Sequence, residues 1–302
     1  MTAKPRLLVL GATGKVGGAV VRTLAARGDV AVVAGLRGPG GAEALAGLAI
    51  EIRRLNLDEA ESLEPALAGI DCALLLTGYS VDMLRQSKRF LDAARAMGVR
   101  HIVHVGASGA ATNEVAHWGW HQLVEAYAEA RGFAWTHLRP ESFMQNLTSF
   151  GWLNGGALAH PIGSARWSWV DCEDVAAVAA AALAEPDRYA GQVYRLGTEA
   201  ADMAEVTAVL RRELGHPIRL VDVTPEAFHA AAIRGGGDPA YLDCILHQFR
   251  LNRAGAIPGS DQTFDTVEHV LGRPGIGWAE HVRRNAAALG PRAASPTSGD
   301  NR

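Results

Sequence analysis

Cysteine, surplus charge of either sign, aromatic side chains and long apolar runs are all scarce in this chain. Three cysteines occur in 302 residues, Cys72, Cys172 and Cys244, an odd number with no second cysteine at metal-ligand spacing. That argues against a disulfide framework or a cysteine zinc site and suits buried thiols in a reducing compartment. A formal net charge of −3, with no Lys/Arg cluster, provides no field for nucleic acid, which is not expected as a partner. No stretch approaches the length of a membrane span, and the apolar run near the N-terminus is too short for a signal peptide. The chain therefore reads as cytoplasmic, with no membrane partner, and as a monomer or homodimer, between which the sequence does not choose. At 48% hydrophobic and 20% charged residues, it can bury the core of one large domain, or of a domain with an appendage.

Against this background one segment stands out. Gly11-Ala12-Thr13-Gly14-Lys15-Val16-Gly17 follows the apolar run Leu7 to Leu10 and opens an amphipathic stretch from Val16 to Arg27. Glycines let a chain turn tightly and approach a pyrophosphate, while the first helical turn presents unpaired N–H groups and the positive end of the helix dipole. Further β-rich runs follow at Val30–Leu36, Ile50–Leu55, Cys72–Leu76, His101–Val105, Trp135–Leu138 and Val193–Leu196, with amphipathic stretches between them. Asp58 and Glu61 form a capping-box pattern before the third helix. The alternation predicts an α/β fold with a doubly wound parallel Rossmann sheet. After Pro140 the pattern changes, and a smaller, mainly helical C-terminal lobe is expected. Its helices fall near Met203–Leu214, Pro225–Ile233, Pro239–Arg250, Phe264–Leu271 and Trp278–Leu289. In this division 1–140 bind the cofactor and 170–198 return to that domain. Segments 141–169 and 199–290 form the substrate lobe, and the polar stretch 291–302 is a disordered tail.

The second strand ends at Arg37, where a dinucleotide's adenosine ribose lies in this architecture. None of Ala34, Gly35, Leu36 and Arg37 is acidic. A free ribose is usually held by a carboxylate, whereas a 2′-phosphate needs a cation. The expected cofactor is therefore NADPH rather than NADH, with Arg37 on the 2′-phosphate and Lys15 as a second cation.

Several motifs together resemble the NmrA-like group of atypical short-chain dehydrogenases/reductases, over about Leu7 to Leu289. They are the glycine turn, Arg37, Ala93-Ala94-Arg95-Ala96-Met97-Gly98-Val99-Arg100-His101-Ile102-Val103 leading to Ser108, and Glu125. Leu138-Arg139-Pro140 with Phe143-Met144-Gln145-Asn146, Trp169-Val170-Asp171 with Asp174-Val175-Ala176, and Leu271-Gly272-Arg273-Pro274 with Trp278 complete them. The resemblance implies that Gly11, Thr13, Gly14, Lys15, Val16 and Gly17 wrap the pyrophosphate. It places Asn56 near the adenine, Thr77, Gly78, Ala107 and Ser108 along the cofactor, and Pro140 and Phe143 against the nicotinamide. Members of this group include quinone, triphenylmethane and ergot-alkaloid-type reductases and also non-catalytic cofactor sensors.

The chain departs from the wider superfamily at one place. Orthodox members carry Tyr-x-x-x-Lys after the fifth strand, and here the corresponding spacing reads His117-Trp118-Gly119-Trp120-His121. Residues four apart share a helix face, so His117, His121 and Glu125 line up. Three roles stay open for the histidines: His121 against the ribose with His117 or solvent as proton donor, polar lining of a cleft, or a metal pair. No Glu follows His117 to make His-Glu-x-x-His, and no metal is expected. Ser108 is a candidate hydrogen-bond donor to substrate or a turn residue; Gly106-Ala107-Ser108-Gly109 lacks the nucleophile-elbow spacing. Aromatics make up 6% of the chain, yet Phe143, Phe150, Trp152, Trp167 and Trp169 crowd one segment. Tyr79, Phe143, Met144, Trp152, Trp167 and Trp169 are the expected substrate contacts, although a core wedge needs the same residues. The sequence thus predicts an NADPH-dependent reductase passing hydride to an electron-poor conjugated small molecule such as a quinone, enone or imine. The alternative is a non-catalytic NADP(H)-sensing regulator.

Overall fold

The structure, a computed structural model, describes residues 3–38, 40–109 and 114–290. The polar stretch 291–302 lies outside the described residues. Seven strands, β1 (Arg6–Val9), β2 (Ala31–Leu36), β3 (Glu51–Arg54), β4 (Cys72–Leu75), β5 (His101–Val105), β6 (Ala134–Pro140) and β11 (Gln192–Leu196), form one sheet in the order β11-β6-β5-β4-β1-β2-β3. Every pairing in it is parallel. All seven strand regions read from the sequence are present. Their residues alternate between two buried layers: Leu7 and Val9 enter one core, Leu8 and Leu10 the other. Helices on both faces force this double burial, which is why the runs are continuously apolar.

One layer holds α1 (Lys15–Arg27) and α6 (Cys172–Ala184); the other holds α2 (Leu63–Leu67), α3 (Met83–Ala96) and α4 (Ala116–Ala130). Small residues allow α1 to lie close to α6 and to the turn before it. A Cβ on Gly17 would stand 2.2 Å from the Gly11 carbonyl oxygen, so no larger residue fits. Gly11 itself has φ +64°, a left-handed conformation that favours glycine. The capping box expected from Asp58 and Glu61 does not form. Residues 60–62 make a 3₁₀ turn without a side-chain cap, and the Asp58 carboxylate accepts hydrogen bonds from Arg85 and Gln86 instead.

The remaining chain builds the lobe. Helix α7 (Pro186–Tyr189) leads into β11, whereas α5 (Asn146–Ser149), α8 (Met203–Leu214), α9 (Pro225–Arg234), α10 (Pro239–Arg253), α11 (Thr266–Leu271), α12 (Trp278–Arg284) and α13 (Ala286–Leu289) surround two small sheets. One sheet orders β12 (Glu199–Ala201), β10 (Trp167–Val170) and β7 (Ser142–Phe143); the other orders β13 (Arg219–Asp222), β9 (Ala157–His160) and β8 (Leu153–Asn154). These sheets were not expected: the segment after Pro140 is mixed α and β. Its core contains Met144, Leu147, Trp152, Trp167, Trp169, Phe249 and Trp278. Asp174, fully buried, accepts hydrogen bonds from the Ile276 amide and pairs with Arg273 at 2.8 Å, which fastens the closing segment to α6.

Candidate active site

At the carboxyl ends of β4, β5 and β6 the chain leaves the main sheet and a cavity of about 700 Å³ opens. Its floor comes from the loop Gly106–Ser108 and from Pro140–Phe143. Tyr79, His117, Trp118 and His121 stand on one side, and α9 and α10 close over it through Phe228, Tyr241 and Phe249. Aromatic faces dominate the wall, while its polar groups gather at the sheet end. That composition suits a flat apolar ligand oriented by a few hydrogen bonds.

The glycine turn lies at the end of β1, with Gly11, Thr13 and Gly14 exposed. The Gly14 amide donates to the Gly11 carbonyl at 2.8 Å, so the turn is closed by its own backbone. Val16 and Gly17 are buried behind it. Arg37 is exposed just past β2 and makes no ion pair among the described residues. Lys15 does otherwise: its ammonium donates to the Gln145 carbonyl at 3.0 Å and to the Ser149 hydroxyl. It ties the turn to α5, and burial lowers its pKa. The Lys15 ammonium is thus held beside the turn by α5, while Arg37 is the exposed cation at the tip of β2. The Asn56 side chain is also engaged, donating to Glu59 at 2.7 Å and accepting from the Asp58 amide at 3.1 Å. Its amide shapes the loop after β3. Thr77 and Gly78 follow β4, and Ala107, Pro140 and Phe143 border the cavity.

Of the expected substrate contacts, Tyr79, Phe143, Trp152 and Trp167 line the cavity, and Met144 and Trp169 do not. Met144 is fully buried in the lobe core, because its place directly after the short strand β7 points it away from the floor. Trp169, from the same aromatic group, is likewise fully buried. Trp152 and Trp167 belong to the core and the wall at once.

His117 and His121 line the cavity together, as their spacing on α4 requires. Burial pushes His117 down to about 3, with His121 adding to the effect, and His121 down to about 4. Both imidazoles are therefore neutral at neutral pH, and His117 does not hold the proton that an imidazolium donor would give. His121 Nδ1 lies 3.2 Å from His104 Nε2. Beneath α4, His104, Glu125 and His137 bring potential ligand atoms within 4.8 Å of one another. Arg139 already takes both Glu125 oxygens, Nε at 3.1 Å and Nη2 at 2.5 Å, so the carboxylate is committed to a guanidinium.

Ser108 reaches a partner that the sequence reading passed over. Its hydroxyl donates to Glu141 Oε1, and Arg195 Nη2 stands 3.2 Å from that oxygen and 3.3 Å from Ser108 Oγ. The Glu141 side chain is 5% exposed. Burial raises its pKa to about 7, while Ser108 and Arg195 pull it back. A carboxylate directly after Pro140, at the carboxyl end of a parallel strand, was a readable signal. Tyr241 and the α9–α10 roof carried none.

An all-parallel sheet whose strand order reverses between β1 and β4, with a glycine turn after β1 and a cavity at the neighbouring strand ends, defines a Rossmann-type dinucleotide-binding protein. The sequence profile of the NmrA-like family matches residues 3–271, and the chain belongs to that family. It is 32% identical to the NAD(P)H azoreductase of Xenophilus azovorans, over 94% of this chain and 99% of that protein. The NADPH complex of the NADPH-dependent quinone oxidoreductase QOR2 of Escherichia coli superposes with a TM-score of 0.78. It is 26% identical, over 92% of this chain and 99% of that one. NmrA, a negative transcriptional regulator solved with NADP, shares the fold with a TM-score of 0.73, at 19% identity over 93% of this chain and 95% of that one. Among the described residues no helix is long and apolar enough to cross a membrane.

Proposed function

We propose that the protein is an NADPH-dependent reductase that transfers a hydride to a flat, electron-poor conjugated small molecule such as a quinone, enone or imine. One observation carries this reading: the aromatic cavity opens directly onto the strand ends where the nicotinamide half of a dinucleotide lies. The azoreductase and the quinone oxidoreductase support it, since both reduce conjugated acceptors according to their names. In this reading Gly11, Thr13, Gly14, Lys15, Val16 and Gly17 wrap the pyrophosphate, Asn56 lies near the adenine and Arg37 takes the 2′-phosphate. Thr77, Gly78 and Ala107 follow the cofactor, Pro140 and Phe143 wall the nicotinamide, and His121 lies beside its ribose.

The reduced nicotinamide supplies the hydride, and this chain supplies orientation and exclusion of water. Without a Tyr/Lys pair the site favours acceptors whose product anion is delocalised. Simple alkyl ketones are poor substrates on this account. The protein is read as cytoplasmic, working as a monomer or homodimer without nucleic acid or membrane.

The sensing alternative draws on one observation, the replacement of Tyr and Lys by His117 and His121. A pure sensor has no need of a cavity of this size and lining. Following NADPH absorbance across quinones, enones, imines, azo compounds and alkyl ketones tests both readings. Turnover of a conjugated acceptor with little of the ketones is expected. Tight NADPH binding with no turnover of any acceptor would replace the reductase by the sensor.

A further inference from the structure

We propose that Glu141, acting through the Ser108 hydroxyl, supplies the proton that accompanies hydride transfer in the cavity, with Arg195 as its fixed counter-ion. The proposal rests on the reductase reading and adds to it the acid that the missing tyrosine leaves unassigned.

Position is the first argument. Glu141 and Ser108 both line the cavity floor, on consecutive strand ends, beside the residues that wall the nicotinamide. The Ser108 amide donates to the Pro140 carbonyl at 2.8 Å, and the Glu141 amide donates to the Leu196 carbonyl at 2.8 Å, so three neighbouring strands hold the pair rigidly. Arg195 is itself fixed: its guanidinium lies 4.3 Å over the Phe264 ring and donates to Gln262 at 3.3 Å. The fold leaves space for the carboxyl. A Cβ on Gly197 would lie 3.0 Å from Glu141 Cγ and 2.2 Å from Ser168 Oγ, so the glycine is what lets the glutamate side chain fit.

Elimination is the second argument. Facing Glu141 are Ser108 from the loop after β5, Arg195 from β11, and Ser168 from β10 across Gly197. On the α4 side of the cavity stand His117 and His121, both neutral through burial. The Tyr79 and Tyr241 phenols and the Asp238 carboxylate also line the cavity; burial raises both phenols, which makes them weaker acids, and backbone hydrogen bonds hold Asp238 low, whereas burial brings the Glu141 carboxyl up to about 7. General acids work best when their pKa lies near the operating pH.

The step balances as follows. The acceptor gains a hydride from the reduced nicotinamide, its C=O, C=C, C=N or N=N π bond breaks, and the displaced electron pair settles on the far atom. That atom takes the Ser108 hydroxyl proton as Ser108 takes the Glu141 carboxyl proton. The acceptor is reduced by two electrons and the nicotinamide is oxidised. Glu141 is left as a carboxylate against Arg195, accepting the Ser108 hydrogen bond seen in the structure, and regains a proton from solvent. For an acceptor whose anion is well delocalised the proton matters less; for an imine or azo nitrogen it matters most.

Two measurements on the full-length protein test this. Infrared difference spectra of the cofactor-free protein should show a protonated-carboxyl band titrating within about one unit of pH 7, absent in Glu141→Gln. In steady-state kinetics with an imine or azo acceptor, wild-type kcat should fall as pH rises through about 7. Glu141→Gln and Ser108→Ala should each lower kcat at neutral pH by roughly a hundredfold, with a flattened pH profile and little change in KM. No carboxyl titrating near neutrality in the wild type overturns the proposal, and so does a Glu141→Gln enzyme with wild-type kcat and pH profile. A wild type that binds NADPH but oxidises it with none of the acceptors overturns the reductase reading, and the donor role with it.

Discussion

Arg37→Glu should reverse the cofactor preference, and the size of the reversal follows from how the guanidinium is placed. Arg37 is exposed at the tip of β2 without an ion pair among the described residues, and Ala34, Gly35 and Leu36 set no carboxylate beside it. Removing a hydrogen bond between charged groups costs about 1.5–3 kcal/mol. Placing a carboxylate about 4 Å from the 2′-phosphate adds roughly 1 kcal/mol per unit charge in a water-like surrounding. With about two charges on the phosphate, the sum of about 3.5–5 kcal/mol weakens NADPH binding roughly several hundred- to several thousandfold. NADH lacks the 2′-phosphate and should lose less than about threefold, since none of these terms applies to it. Titration calorimetry with both cofactors at low ionic strength reads the ratio of Kd values directly. Because the site is exposed, raising salt should shrink the wild-type preference for NADPH. An unchanged ratio in Arg37→Glu, at any salt, refutes the assignment of Arg37 and the argument from the missing carboxylate.

Other expectations follow from named contacts. Gly17→Ala places a methyl group 2.2 Å from the Gly11 carbonyl oxygen. The turn must open, with a cost of about 1–3 kcal/mol and loss of measurable NADPH binding in a protein whose circular dichroism stays native. Trp152→Ala removes a side chain shared by the cavity wall and the lobe core, and should lower stability to urea by about 3–5 kcal/mol; a change in KM alone would show that the core role is minor. Burial lowers the pKa values of six histidines: His101 and His121 to about 4, His117, His137 and His160 to about 3, and His104 as well. Their folded forms stay neutral while the unfolded chain protonates near 6.5. Stability is thus full above about 6.5 and falls as pH drops toward 4, by up to about 1.4 kcal/mol per unit for each histidine. Urea midpoints that stay flat between pH 7 and pH 5 would contradict that burial.

The main sheet was legible because double burial writes each strand as a short apolar run, and the turn before α1 because phosphate binding asks for glycine. Helix α8 falls on the expected Met203–Leu214, bounded by an Asp202/Glu205 capping box and by Gly215 in the left-handed conformation. Helix α6 was not read from its sequence. Its alanine- and valine-rich residues are buried on nearly every side, which leaves no amphipathic stripe to detect. The lobe sheets escaped for another reason: strands of two to four residues are too short to display a period of two. At the site, glycine positions and the α4 histidine pair were visible. The strap from Lys15 to α5 and the Ser108–Glu141–Arg195 group join residues far apart in sequence, and no local pattern reports such meetings.

The roof and the floor of the cavity are built from chain in different ways. The floor is stitched from separate loops that also terminate strands of the main sheet, so altering it disturbs the nucleotide-binding half. The roof is one uninterrupted stretch, α9 and α10, joined by Gly235–Gly237. Its cavity-facing side chains can vary without altering the main sheet, while Phe249 anchors the stretch in the lobe core. Differences in which flat ligand the cavity admits can then accumulate in some thirty contiguous codons, roughly the size of a two-helix hairpin.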